Sequence, residues 1–272
     1  MIRALRRFPA AAFFAGVVLA ALSAFAADPR GRLAKGETVA VAAVVDGDTV
    51  ELASPLDGAR EIRLVGIQAP KLPLGRKNFP TWPLADESKA ALEALALGKT
   101  LTLYYGETRK DRHGRILAHL VGGNGVWIQG AMLRDGMARV YTFSDNRAAA
   151  DLMYAEERAA RAAKAGIWNH PFYRVRAPDE AGKDIGSFQV IEGRILDAAR
   201  VKGRVYLNFG ADWRTDFTIA IGPQAAKMFR ADGRDPLALK GAIVRVRGWL
   251  KRENGPMIEL SHPEPLEVPG KR

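Results

Sequence analysis

Asp46-Gly47-Asp48-Thr49 places two carboxylates at a strand-to-strand turn, and carboxylates are what a hard divalent cation requires. Arg63 follows Glu61 by two residues on a segment of strand character, so the two share a face. Arg112-His113-Gly114-Arg115 makes a basic turn. Singly, each has a plainer use: Asp-Gly is a common turn, a strand arginine is usually solvated, and basic turns usually lie on the surface. Together, acids for a cation and two arginines for a phosphate are the parts needed to cleave a phosphodiester. Other candidates are weaker. His113, His119, His170 and His262 lack zinc-ligand spacing, and Ser144 and Ser187 have no neighbouring base pattern. No glycine-rich phosphate loop is present. The absence of cysteine excludes disulfides, thiol catalysis and cysteine zinc sites.

A β-rich frame must position these residues. Strand patterns run over residues 39–45, 48–52 and 61–67, with Asp57-Gly58 as a turn. Residues 70–83 carry four prolines and read as a loop. A helix over 86–97 puts Ala91, Leu92 and Leu95 on one face. Residues 101–105 and 116–121 form a strand pair joined through 111–114. Helices follow over 126–133 and 148–165, the second with Ser144 or Asp145 as N-cap and Gly166 as its stop. Residues 171–186 read as a linker. Strands then recur over 188–196, 204–209, 217–221, 242–250 and 257–260, with a helix over 223–230 and a hairpin turn at Asn254-Gly255. Three strands, a helix and two strands is the order of an OB barrel.

The blocks 44–50, 62–67 with Pro70, 111–115, 136–141 and 166–168 resemble, in order and spacing, the thermonuclease (staphylococcal-nuclease-like) family across roughly residues 37–170. The resemblance implies a mainly β fold with helices, an OB-type five-stranded barrel plus three helices; the strand order of the second unit adds a second, smaller OB-like β-barrel after it. It implies calcium-dependent hydrolysis of DNA and RNA. It also implies roles. Asp48 matches a calcium carboxylate, with Asp46 behind it. Arg63 and Arg115 match the phosphate-clamping arginines. Arg112, His113, Tyr141 and Phe143 stand where substrate is bound, Phe143 replacing a second tyrosine.

The departures matter more. The second calcium carboxylate falls on Gln68, and the threonine whose carbonyl binds calcium falls on Ala69, which keeps a carbonyl. The general-base glutamate falls on Lys71. Affinity for Ca²⁺ follows ligand charge, so a weakly held ion is expected. A lysine is cationic near neutral pH and accepts no proton from water. Losing a general base costs ~10²–10⁴ in rate, about 3–5 kcal/mol of barrier. Two retained arginines keep about 1.5–3 kcal/mol of charge-assisted bonding each. Binding should outlast turnover. Glu61 could serve as a substitute base; its blander use is an ion pair with Arg63 or a solvated side chain.

The 272 residues carry 41 Lys+Arg against 30 Asp+Glu, a net +11 that favours anionic partners. Residues 1–26 show a basic start, an apolar run and Ala24-Phe25-Ala26, the layout of a cleaved signal peptide. Cleavage would take three arginines and no acid, leaving +8, and would leave no stable membrane anchor. The expected organisation is a signal peptide (1–26), a thermonuclease-like domain (27–172), a linker (173–187) and an OB-like domain (188–268), exported to the periplasm or beyond. In the second unit Arg245, Arg247, Trp249, Lys251 and Arg252 follow one another, and Trp213-Arg214 repeats the combination. They suit single-stranded nucleic acid, or else the tryptophans are core and the arginines solubilising. Three readings stand: an exported protein that binds flexible or single-stranded nucleic acid but cleaves weakly or not at all; an active calcium-dependent DNA/RNA endonuclease using Glu61; a non-catalytic envelope interaction module.

Overall fold

A computed structural model describes residues 28–270, so the expected signal segment lies outside the described residues. The first barrel is built from β1 (Ala34–Asp46), β2 (Thr49–Leu56), β3 (Ala59–Leu64), β5 (Thr100–Tyr105) and β6 (Ile116–Gly122), with a short β4 (Ile67–Gln68) between β3 and β5. The barrel closes in the order β1-β2-β3-β6-β5, and β3 and β6 are its parallel pair. Alternation along the strands fills the interior with Val44, Val50, Leu52, Ile62, Leu64, Leu101, Leu103 and Leu120. Helices α1 (Ala85–Ala96), α2 (Ile128–Arg134) and α3 (Ala150–Ala163) surround it. Leu92 of α1 is buried, and Ala91 and Leu95 are partly buried against the same core. The expected N-cap of α3 shifts: the cap is Ala149 in a left-handed conformation, without a side-chain bond.

A short β7 (Arg139–Val140) follows α2 and pairs with β4, Gln68 opposite Arg139. Gly136 makes this possible. Its φ is +65°, and a Cβ there would lie 2.1 Å from the Ala165 carbonyl oxygen. Only glycine lets the end of α2 approach the end of α3 that closely.

The second barrel comprises β8 (Phe188–Arg194), β9 (Asp197–Val201), β10 (Arg204–Asn208), β11 (Thr218–Ile221), α4 (Pro223–Ala231), β12 (Ile243–Glu253), β13 (Gly255–Leu260) and β14 (Leu266–Glu267). β8 pairs β12, β12 pairs β13, β13 pairs β11 in parallel, and β11 leads through β10 to β9. Because β8 and β9 are consecutive, they act as two halves of one bent first strand. The order then repeats that of the first barrel, including its single parallel pair. A separate core of Ile191, Val205, Leu207, Phe217, Ile219, Phe229, Val244, Val246 and Ile258 fills it.

Residues 171–186, expected as a linker, carry 3-10 turns at Pro171–Tyr173 and Pro178–Asp184. Tyr173 is buried and its hydroxyl donates to the Pro83 carbonyl at 2.7 Å; Ala181 enters the second core. The sequence pattern of proline and charge could not register those tertiary contacts. No helix among the described residues is long and apolar enough to cross a membrane.

Candidate functional site

The β1–β2 turn carries Asp46 and Asp48 inward, both buried. Gly47 between them is required by close approach: a Cβ there would lie 2.0 Å from Ser88 Oγ and 2.7 Å from Ala69 Cβ. Ser88 is anchored by donating to the Met137 carbonyl at 2.7 Å. The turn is thereby pressed against α1 and the 68–71 segment. Asp48 Oδ2 accepts the Ala69 amide at 2.7 Å, and Asp46 Oδ1 accepts the Asp48 amide at 3.1 Å.

Lys71 completes the cluster. Its Nζ lies 2.6 Å from Asp48 Oδ2 and 3.4 Å from Asp46 Oδ2. Arg63 adds a second cation, Nη2 3.2 Å from Asp48 Oδ2. Two carboxylates thus face two cations. Burial would raise the Asp48 carboxyl, but Arg63 and Lys71 overcome it and hold that group below the usual carboxylate range. Burial and the charge of Asp48 push Asp46 the other way, upward. Both cations meet at Asp48 Oδ2, and Lys71 also reaches Asp46.

Arg63 is committed inward rather than presented outward. Its Nη1 donates to the Leu64 carbonyl at 2.5 Å and the Asp48 carbonyl at 3.2 Å, and Nη2 to the Ile67 carbonyl at 2.6 Å. It pins the turn between β3 and β4. Arg115 is bound too: Nε and Nη2 lie 2.8 and 2.7 Å from Asp111 Oδ2. Asp111 Oδ1 also accepts the His113 and Arg115 amides, which shapes the basic turn. Arg112 and His113 are exposed, joined by a bond from Arg112 Nε to His113 Nε2 at 3.1 Å.

Gln68 does not point its oxygen at the carboxylates. Gln68 Oε1 accepts Arg139 Nε at 3.0 Å and Nη2 at 2.7 Å. Arg139 is 3% exposed and lies over the Phe188 ring at 4.3 Å, with the Trp82 and Tyr173 rings at 5.7 and 5.8 Å. Burial against a neutral acceptor pushes its guanidinium down to about 9. Arg139 was legible only as part of a motif; alternation with the fully buried Ala138 and Val140 would have turned it outward.

This donor set does not fit the calcium that the family pattern implies. Of the ligand positions, Asp48 and Asp46 are bonded by the Lys71 ammonium, the Gln68 oxygen is held by Arg139, and the Ala69 carbonyl is the one neutral donor left. Among the described residues no group of three or more His, Cys, Asp or Glu could hold a metal ion. Glu61 lies opposite Glu51 on β2, and its side chain makes no hydrogen bond or ion pair with Arg63 or any other described residue. Of the two plainer uses of Glu61, the ion pair with Arg63 does not form, because Arg63 turns toward backbone carbonyls.

Tyr141 and Phe143 meet edge to face, with centroids 5.0 Å apart. The second barrel extends this pair. Phe188 lies 5.0 Å from Tyr141 and 6.3 Å from Trp249, whose Nε1 donates to the Tyr141 hydroxyl at 3.2 Å. Phe143 and Trp249 are each 50% exposed, so Trp249 is not a core residue. The four rings, with Lys251 and His262, line a cleft of about 300 Å³ at the junction. Beneath it Arg247, expected to be solubilising, is buried: it pairs with Glu157 at 2.7 and 2.8 Å, with Glu267 at 2.8 Å, and donates to the Val140 carbonyl. Glu267 is on β14 of the second barrel, but Glu157 sits on α3 and Val140 on β7, which strand alternation alone cannot reveal.

The family model of staphylococcal nuclease homologues matches residues 61–170. An uncharacterized endonuclease of Escherichia coli is 33% identical over 129 residues, covering 47% of this chain and 75% of its own length. The chain belongs to the staphylococcal nuclease family. Endonuclease YhcR of Bacillus subtilis is 31% identical over 132 residues, 46% of this chain, but this chain spans only 11% of that much longer protein. A thermonuclease of Staphylococcus hyicus is 25% identical over 138 residues, covering 50% of this chain and 79% of its own. The family model ends before the second barrel. In this member of the family a lysine, Lys71, sits against the acidic turn.

Proposed function

We propose that this protein binds single-stranded nucleic acid and that the calcium-dependent hydrolysis of its family is lost or strongly weakened in it. One observation carries the reading: Lys71 Nζ sits 2.6 Å from Asp48 Oδ2. The ammonium occupies the acceptor a cation would need, and a lysine at that place supplies no base. A divalent ion would have to break the Lys71 contacts and would then find a neutral amide already engaged by Arg139.

What remains suits binding. Arg112 and His113 offer exposed polar and cationic groups on one turn. Lys110 stands beside them, donating to the Asp57 carbonyl at 2.7 Å. Phe143 and Trp249 offer half-exposed rings for stacking, and only unpaired bases can stack on a side chain without leaving a duplex. Family membership and the endonuclease names of relatives support nucleic acid as the ligand class. Export follows from the signal-like residues 1–26 and belongs to the same proposal.

The test is digestion of plasmid and of a single-stranded oligonucleotide, with Ca²⁺ and with EDTA, beside a binding titration at several salt concentrations. Expected are intact substrates under both conditions and an oligonucleotide affinity that falls steeply as salt rises. Rapid digestion abolished by EDTA would overturn the proposal. If such digestion were lost in Glu61→Gln, the substitute-base reading would replace it.

A further inference from the structure

The second barrel carries another cleft, of about 380 Å³, on its outer face and separate from the aromatic junction. That volume lies in the range of small-molecule sites, ~300–1,000 Å³. Its floor is a row in register across four strands. Asp197 of β9 stands opposite Asn208 of β10, Asn208 opposite Thr218 of β11, and Thr218 opposite Met257 of β13. Thr218 Oγ1 donates to Asn208 Oδ1 at 3.1 Å, so the amide's acceptor is committed, while its nitrogen makes no hydrogen bond among the described residues. The next row places the small Ala199 opposite Tyr206.

Trp213 forms one wall. It is 50% exposed, yet the loop that carries it is built rather than loose. Asp216 Oδ2 accepts the Asp212 amide at 2.7 Å, Asp212 Oδ1 accepts the Arg214 amide at 3.1 Å, and Phe209 and Phe217 pack 5.0 Å apart at its base. The Arg214 guanidinium lies over the indole at 4.6 Å. Glu253 and Asn254 of the β12–β13 turn form the other wall.

Charge decides what this cleft can accept. No lysine or arginine lines it. Its two carboxylates are ion-paired outside it, Asp197 with Lys240 at 2.7 Å and Glu253 with Lys251 at 2.9 Å. The nearest cations, Lys240, Lys251 and Arg214, are each already engaged with a lining residue, so none lines the cleft for a phosphate. The lining instead combines two aromatic rings, a free amide donor and carboxylate acceptors. Aromatic faces take the C–H face of a saturated ring, and amides and carboxylates take its hydroxyls. OB barrels use this strand face for oligonucleotides or oligosaccharides, and the absence of cations in the lining selects the second.

We propose that the outer cleft of the second barrel binds a neutral oligosaccharide, stacked on Trp213 and Tyr206 and hydrogen-bonded by Asn208, Asp197 and Glu253. The site does not depend on the nucleic-acid reading of the first barrel.

The experiment titrates the whole protein with cellohexaose, maltohexaose and chitohexaose by calorimetry and tryptophan fluorescence, and separately with an oligothymidylate. At least one hexasaccharide is expected to bind saturably, with little change between 50 mM and 1 M salt. Trp213→Ala should lower that affinity at least tenfold and leave oligothymidylate binding unchanged. Trp213→Phe should retain part of it, and Asn208→Ala should weaken it in a barrel whose circular dichroism is unaltered. The proposal is overturned if none of the three sugars binds at millimolar concentration. It is equally overturned if Trp213→Ala binds sugar normally, or if oligothymidylate binding requires Trp213, which would make the cleft a nucleic-acid surface.

Discussion

The two barrels share strand order, a single parallel pair and the position of a helix before the last two long strands, yet they handle charge in opposite ways. The first draws Asp46, Asp48, Lys71 and Arg63 into a compact group at its β1–β2 turn. The corresponding β9–β10 turn of the second barrel is Lys202-Gly203, with no acid, and the barrel's outer cleft has no cation lining it. Architecture therefore fixes where a site can be built, not its sign or chemistry. The junction is where the two meet. Glu157 of α3 accepts Arg247 of β12, Arg161 of its own helix and the Val140 amide. A contact so buried ties the second barrel to β7, and β7 in turn holds Arg139 against Gln68.

The largest effect should come from breaking that tie. Glu157→Ala leaves Arg247 buried and deprived of its main partner, which typically costs about 3–5 kcal/mol. Urea denaturation should show a midpoint lowered accordingly. If the two barrels unfold in separate steps in the variant but together in the native protein, the junction is what couples them. A native-like midpoint would show that the pair contributes little beyond packing.

Next is the acidic turn. Lys71→Met removes the cation bonded to Asp48 and should cost about 1.5–3 kcal/mol, the range for hydrogen bonds to charged groups. The informative readout is the response to calcium. The native protein should show no rise in melting temperature on adding Ca²⁺. Lys71→Glu combined with Gln68→Asp supplies acid at both altered positions and should show a clear rise. No calcium response in that double variant would mean the site is closed by more than these two residues.

Much of this was legible in the sequence and some was not. Period-two alternation and Asp-Gly or Asn-Gly turns located the barrel strands, and the motif blocks identified the family. Gln68 and Lys71 could be read as a neutral and a cationic side chain at the acidic turn, because residue type alone determines charge. What they do there could not be read. That the Lys71 ammonium sits on Asp48, and that Gln68 serves Arg139, depends on β4 pairing β7 across some seventy residues. Arg247 was misread for a related reason. Strand alternation marks a residue as facing out of its own barrel, and only the neighbouring barrel turns that outward face into an interior.

A smaller effect tests the junction as a binding surface. Trp249→Ala should weaken oligothymidylate binding by about 1–3 kcal/mol, the cost of a lost stacking partner, roughly 5- to 150-fold. Its effect should be the same at low and high salt, since the indole carries no charge. A changed salt slope would assign Trp249 to positioning cations rather than to stacking.

The subtlest difference between the regions is in acid. Each holds a buried histidine: His119 in the first barrel, bonded to Trp127 Nε1 at 3.2 Å, and His262 at the junction, 2.8 Å from Thr142 Oγ1. Burial pushes His119 down to about 3; burial, helped by the Arg147 charge, pushes His262 down to about 4. Unfolded, both would titrate near 6.5. Between that value and their folded ones the unfolded chain binds protons that the folded chain refuses. Stability is therefore full above pH 6.5 and falls as pH drops, by about 1.4 kcal/mol per pH unit for each histidine. The groups that face His262 are Thr142, Ser261, Arg147 and Asp145, and only Asp145 favours its protonated form. His262→Gln keeps a polar partner for Thr142 and removes one titrating group. Urea midpoints measured from pH 7.5 to 5 should fall about half as steeply in this variant as in the native protein. An unchanged slope would mean that His262 gains a proton in the folded state near its ordinary range, and that the junction admits water to it.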